Sequence, residues 1–191
     1  MSTLHVGPFA TLPAMKAAPR IIVLMGVSGC GKTTTGKRLA TALGWPFRDA
    51  DSFHPPANIA KMASGQPLDD HDRAPWLAAI AGWIDTQRAS NESGIVSCSA
   101  LKRRYRDVLI GERPDVQLVY LMGSLALIGD RLSRRKGHFM PPALLRSQFE
   151  ALEAPAADEQ ALAISIRLPP KRIVTEIISE CALAPVRRIM P

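Results

Sequence analysis

The 191-residue chain is poor in aromatic residues, at 5%, and in cysteine, with only Cys30, Cys98 and Cys181. Three scattered thiols exclude a disulfide framework or a cysteine-based zinc cluster, and they fit a reducing, cytoplasmic compartment. Long apolar runs are missing: none approaches the ~18–20 residues that cross a bilayer, so no membrane partner is expected. Acidic residues are the minority, 17 against 24 Lys plus Arg, for a formal net charge of +7. Lysine is scarce among the basic residues, 7 against 17 arginines. Arginine suits planar, bidentate recognition of phosphate and carboxylate. A basic balance also fits nucleic-acid binding. The basic clusters at 102–106 and 131–136 carry no interleaved aromatic platform, however, and a nucleic-acid partner is not expected.

What is present is a globular composition, 47% apolar and 21% charged, enough to build a core. Residues 1–19 have low charge and no period, and they read as a disordered extension without the layout of a secretory signal. Residues 20–185 read as one domain, and 186–191 as a tail. Apolar, β-branched runs at 21–25, 45–48, 94–97, 116–121 and 162–166 read as strands. Helical spacing fills 32–43, 58–63, 75–88, 101–110, 125–135, 142–152 and 171–183. Strands alternating with helices make an α/β fold: three layers around a five-stranded parallel sheet. Ligands of such sheets bind at the carboxyl ends of the strands. Three polar clusters fall there, at 26–33, at Asp49 and Asp51, and at 98–102.

Gly26-Val27-Ser28-Gly29-Cys30-Gly31-Lys32-Thr33 matches G-x-x-x-x-G-K-[ST] between a predicted strand and a predicted helix. Glycines let the backbone wrap a phosphate with its N–H groups inward, and the helix adds its positive end. Lys32 is expected to reach the β- and γ-phosphates of a nucleotide, and the Thr33 hydroxyl to ligate Mg²⁺. Thr34 extends the same turn. Cys30 fills a variable position.

A phosphate loop does not choose among kinases, GTPases and motor ATPases. No Asn-Lys-x-Asp guanine signature occurs. The third strand ends in Ser97-Cys98-Ser99, without an acidic residue. The carboxylates follow the second strand instead, at Asp49 and Asp51. Alternate spacing on an extended segment would turn both to one side. One could then serve the metal, and the other accept a proton from an attacking hydroxyl.

Four segments extend this pattern: Asp49-Ala50-Asp51-Ser52-Phe53-His54-Pro55, Asn58 through Leu68, Asp70 through Leu77, and Cys98-Ser99-Ala100-Leu101-Lys102 with Tyr105-Arg106-Asp107. With the phosphate loop and Arg134-Arg135-Lys136-Gly137-His138-Phe139, the chain resembles the gluconokinase family from about Ile21 to Ile178. The resemblance implies ATP:D-gluconate 6-phosphotransferase activity, a fold like that of shikimate and nucleoside-monophosphate kinases, and a homodimer. It implies that residues 26–34 bind the triphosphate. Asp51 would take the hydroxyl proton, and Asp49 would lie nearer the metal. His54, Arg73, Lys102 and Arg106 would surround gluconate. Arg131 and Arg134 would bind ATP and His138 the substrate, all three from a mobile lid at about 131–140 that closes over ATP.

Plainer roles compete at several positions. His54 can order a turn, Arg73 can pair locally at a helix start, and Lys102 and Arg106 can form a solvated face. Trp76 and Trp83 are spaced for packing. The rival functions are a kinase of another polyol acid such as shikimate, and a nucleotide-switched binding module, which would not need a hydroxyl-facing carboxylate.

Overall fold

A computed structural model describes residues 20–134 and 142–186. The expected extension at 1–19, His138, lid residues 135–140 and tail residues 187–191 lie outside them. Five strands, β1 (Ile21–Met25), β2 (Phe47–Asp49), β3 (Gly94–Ser97), β4 (Val116–Met122) and β5 (Leu162–Ser165), form one sheet in the order β2-β3-β1-β4-β5. Every pairing is parallel, with Val23 of β1 opposite Val96 of β3 and Leu118 of β4.

The described residues form seven helices: α1 (Lys32–Leu43), α2 (Pro56–Ala63), α3 (Asp70–Ala89), α4 (Arg103–Leu109), α5 (Leu125–Ser133), α6 (Pro142–Glu150) and α7 (Pro170–Glu180). All of β1 is buried, because its alternate side chains feed two cores. Ile22 and Leu24 pack with Leu39, Ile128, Ile173 and Ile177 on one face. Ile21, Val23 and Met25 pack with Trp76, Ile80, Ile84, Tyr105 and Leu109 on the other. Trp76 and Trp83 therefore take their packing roles, Trp83 edge-on to Phe53 with centroids 6.4 Å apart. Close approach of α1 to β2 requires Gly36, where a Cβ would fall 2.3 Å from the Phe47 ring.

Helix α3 starts at Asp70, five residues before the start expected at Pro75. A reciprocal capping box explains the earlier start. The Asp69 carboxylate accepts from the Asp72 N–H at 2.9 Å, and the Asp72 carboxylate accepts from the Asp69 N–H at 2.9 Å. Asp72 also pairs with Lys61, and Asn58 Nδ2 donates to the Asp72 carbonyl at 2.7 Å, which ties α2 to α3. These contacts hold the turn ahead of Pro75, whose ring removes one helical hydrogen bond.

The segment after β2 is not extended. Asp49 ends the strand and caps a short 3-10 turn over Ala50–Phe53, its carboxylate accepting from the Asp51 N–H at 3.3 Å. A short acidic side chain competes with the ladder for backbone donors, so the chain turns there. The two carboxylates are thus separated by a cap, not by strand alternation.

Candidate functional site

The β1–α1 loop wraps over the carboxyl end of the sheet. Gly26 holds φ 140°, and a Cβ there would approach Cys30 Sγ to 2.8 Å and the Leu121 carbonyl to 2.9 Å. Only glycine opens the loop at this point. Val27 and Cys30 turn their side chains into the core, 3% and 1% exposed, so they offer the cleft backbone only. Burial pushes the Cys30 thiol above its ordinary value, which makes it an inert packing group. Lys32 Nζ donates to the carbonyls of Gly26 at 2.8 Å and Val27 at 3.2 Å, which places the ammonium at the loop's mouth.

A cleft of about 1630 Å³ opens from this loop. Ser28, Gly29, Gly31, Lys32, Thr33, Thr34, Asp49, Asp51, His54, Arg73, Arg131 and Arg134 all line it. The structure therefore brings together most of the residues expected from the sequence, from the β1–α1 loop, α1, the end of β2 and the turn after it, α3, and the end of α5.

Thr33 Oγ1 donates to Asp49 Oδ2 at 2.7 Å, joining the first turn of α1 to the end of β2. A hydroxyl beside a carboxylate is a hard-oxygen pair suited to Mg²⁺, which keeps several waters and takes few protein ligands. Asp51 stands beyond it on the 3-10 turn, exposed to the cleft. The His54 imidazole stacks on Trp76, with centroids 4.6 Å apart and planes 6° from parallel. Trp76 is itself fixed by donating its Nε1–H to the Ala50 carbonyl at 2.7 Å. Burial pushes His54 below its ordinary pKa, Asp51 opposes that shift, and Arg73 adds to it. That shift favours the neutral ring, which presents one donor and one acceptor. Its Nδ1 is buried without a hydrogen-bond partner on the wall of the cleft. Arg73 reaches in from α3, its Nη1 donating to the Tyr105 hydroxyl at 3.3 Å. Arg131 and Arg134 also line the cleft: Arg131 donates to the Ile166 carbonyl at 2.5 Å, and Arg134 pairs with Asp130 at 3.0 Å.

Two expected substrate residues stand elsewhere. Arg106 is 2% exposed, and its guanidinium is consumed by Glu159 and by the carbonyls of Ala100, Leu101 and Glu153. It fills neither expected role, substrate binding or a solvated face. It fastens α4 to the loop before β5, and stranding such a buried charge costs about 3–5 kcal/mol. Arg106 borders a separate hollow of about 580 Å³ with Arg103, Arg113, Asp158 and Glu159. Lys102 lies outside the cleft lining, its ammonium 3.2 Å from Asp70 and 5.6 Å from the Tyr105 ring centroid. Asp70 also binds Arg104 and Tyr105, and these contacts hold its carboxyl down at about 2.

Gln148 of α6 also lines the cleft, though no sequence motif marks it. Its Oε1 accepts from the Ser28 N–H at 2.7 Å, and its Nε2 donates to Ser28 Oγ at 3.3 Å. The side chain spans 120 residues of sequence to clamp the phosphate loop.

Comparisons with known proteins bear on the family and the fold. The shikimate kinase family model matches residues 28–182. The gluconokinase of Gluconobacter oxydans is 47% identical over 164 residues, covering 86% of this chain and 92% of that protein. A gluconokinase structure from Sinorhizobium meliloti aligns with a TM-score of 0.77 at 46% identity, covering 86% of this chain and 92% of the other. An unliganded sugar kinase from Janibacter sp. aligns with a TM-score of 0.80 at 44% identity, covering 87% of this chain and 96% of the other.

Proposed function

The chain belongs to the gluconokinase family, within reach of the shikimate kinase family model, and from that premise we propose that it phosphorylates D-gluconate on its 6-hydroxyl from ATP. One observation carries the reading: a phosphate loop and the set Asp51, His54 and Arg73 line a single cleft. The first takes the triphosphate. The second offers a base, a neutral hydrogen-bonding ring and a guanidinium, the complement of a polyhydroxy acid.

In this reading the loop N–H groups and Lys32 hold the β- and γ-phosphates. The 6-hydroxyl oxygen bonds to the γ-phosphorus as the bond to the ADP oxygen breaks. Asp51 accepts the hydroxyl proton, and His54 Nδ1 finds its partner on the sugar acid. Arg73 pairs with the carboxylate at the far end of the substrate, which sets the 6-hydroxyl toward the loop. Thr33 and Asp49 would hold Mg²⁺, which when bound neutralises phosphate charge. Arg131 and Arg134 close the nucleotide side. Most of this contribution is positioning and charge placement.

The basic residues at 102–106 are paired: Lys102 and Arg104 with Asp70, Arg103 with Asp158, and Arg106 with Glu159. That pairing supports a small-molecule partner over nucleic acid. A cytoplasmic homodimer completes the proposal, on the family resemblance alone.

Arg73→Ala tests the substrate assignment. The contact exists before and during reaction, so its loss removes uniform binding: KM for gluconate rises while kcat is largely kept. A charged hydrogen bond of about 1.5–3 kcal/mol corresponds to roughly a 10- to 150-fold rise in KM. An analogue lacking the carboxylate should be a poor substrate for the parent, and Arg73→Ala should penalise it little further. Equal penalties on analogue and gluconate would remove Arg73 from the carboxylate.

A further inference from the structure

Among the described residues, two buried side-chain polar atoms lack a hydrogen-bond partner, His54 Nδ1 and Ser97 Oγ, and both residues line the cleft. Buried polar groups are ordinarily satisfied, and an exception asks for an explanation. His54 is accounted for by the substrate reading above. Ser97 is not.

Ser97 ends β3 and is 1% exposed. It stands in register with Asp49 of β2 on one side and Leu24 of β1 on the other. Cα partners in a parallel ladder share a face, and residues two apart on a strand share it too. Leu24 and Ile95 both pack in the core that includes Leu39 of α1, so Ser97 projects to the α1 side of the sheet. On that side, Thr33 of α1 donates to the Asp49 carboxylate. Ser97 thus shares one face of the sheet with Asp49, which Thr33 meets, and all three residues line the cleft.

In P-loop NTPases the metal is held by the loop Ser or Thr together with an Asp. Here β1 lies between β3 and β4, and the last residue of β3 is a serine. The carboxylate that Thr33 meets ends β2, on the far side of β3 from β1. We propose that Ser97 is a positioning residue for the metal of the phosphoryl transfer: its hydroxyl takes a hydrogen bond from a metal-bound water and orders it beside Asp49. The inference rests on the ATP and Mg²⁺ reading given above. A hydroxyl can accept from such a water and donate onward, while Asp49 alone supplies the charge. Mg²⁺ dehydrates reluctantly and is held largely through its waters, so a buried acceptor at this position serves it without ligating it. The hydroxyl lacks a protein partner because water on the metal supplies it.

Ser97→Ala and Ser97→Thr, measured beside the parent, test this. Thermal unfolding of nucleotide-free protein should show an unchanged or raised midpoint for Ser97→Ala, because the hydroxyl it removes satisfies nothing. ADP affinity is then read by calorimetry, once with Mg²⁺ and once with a chelator. The parent should bind more tightly with Mg²⁺. Ser97→Ala should lose about tenfold or more of that enhancement, the range for partners that act through a metal's surroundings. Its metal-free affinity should stay unchanged, and Ser97→Thr should restore the enhancement. Full enhancement in Ser97→Ala would overturn the assignment. So would an equal loss with and without Mg²⁺, which would make Ser97 a prop for the loop. A parent without Mg²⁺ enhancement would instead bring down the metal reading itself, and the two failures are distinguishable.

Discussion

Lys32→Ala is expected to lower kcat by about 10²–10³-fold, the effect of removing one preorganised donor from a developing charge. The ammonium already sits at the mouth of the loop, 2.8 Å from the Gly26 carbonyl and 3.2 Å from that of Val27. Those contacts fix its direction before any phosphate arrives, so little reorganisation is needed during reaction. Charge on the transferring group and the leaving oxygen grows in the transition state, and the loss should fall on rate more than on ground-state binding. Lys32 belongs to neither core, so the fold should survive. Steady-state kinetics and thermal unfolding check both halves. A near-normal kcat would remove the loop from catalysis, and a collapsed unfolding midpoint would make Lys32 structural.

Asp51→Asn should lower kcat by about 10²–10⁴-fold, the range for a positioned general base. Asparagine keeps the shape and can still meet a hydroxyl, so KM for gluconate should move little. It cannot take the proton. The carboxylate is suited to this role because the cap on Asp49 fixes the turn that carries it, and His54 and Arg73 face the same cleft. Asp49 is already engaged by Thr33, which leaves Asp51 for the substrate side. Titration of ADP binding in the same variant should show no change. A variant within a few-fold of parental kcat would leave the proton with another group. A large loss of nucleotide affinity would move Asp51 to the metal side.

The sheet was legible because its signals are local. The 21–25 run is apolar at every position, and both faces of β1 are covered. The phosphate loop was legible because glycine and lysine spacing states a backbone shape directly. Helix starts were harder. At α3, proline drew the boundary to residue 75, while two aspartates three apart set it at residue 70. After β2, acidic alternation suggested a strand, and a side chain capping its own turn overrode it.

Long-range pairing was not legible. Arg106 reads like any basic residue on a helix until Glu159, 53 positions later, closes on it. Lys102 reads as a substrate residue until Asp70 takes its charge. Gln148 carries no motif, and its role depends on α6 folding back to the loop. Ser97 left a trace only as a missing acid at the end of the third strand. Residues whose function lies in backbone conformation are written locally. Those whose function lies in a distant partner are not.

The central claim is tested most directly by ADP release from the purified protein with ATP and Mg²⁺. Four assays run in parallel: D-gluconate, shikimate, gluconate without its carboxylate, and no acceptor. The account predicts rapid ADP formation with D-gluconate alone, one 6-phosphogluconate formed per ADP, and little turnover in the other three. ADP release indifferent to the acceptor would contradict a sugar-acid kinase and favour a nucleotide-switched module. Faster release with shikimate would keep the phosphoryl transfer and overturn its substrate.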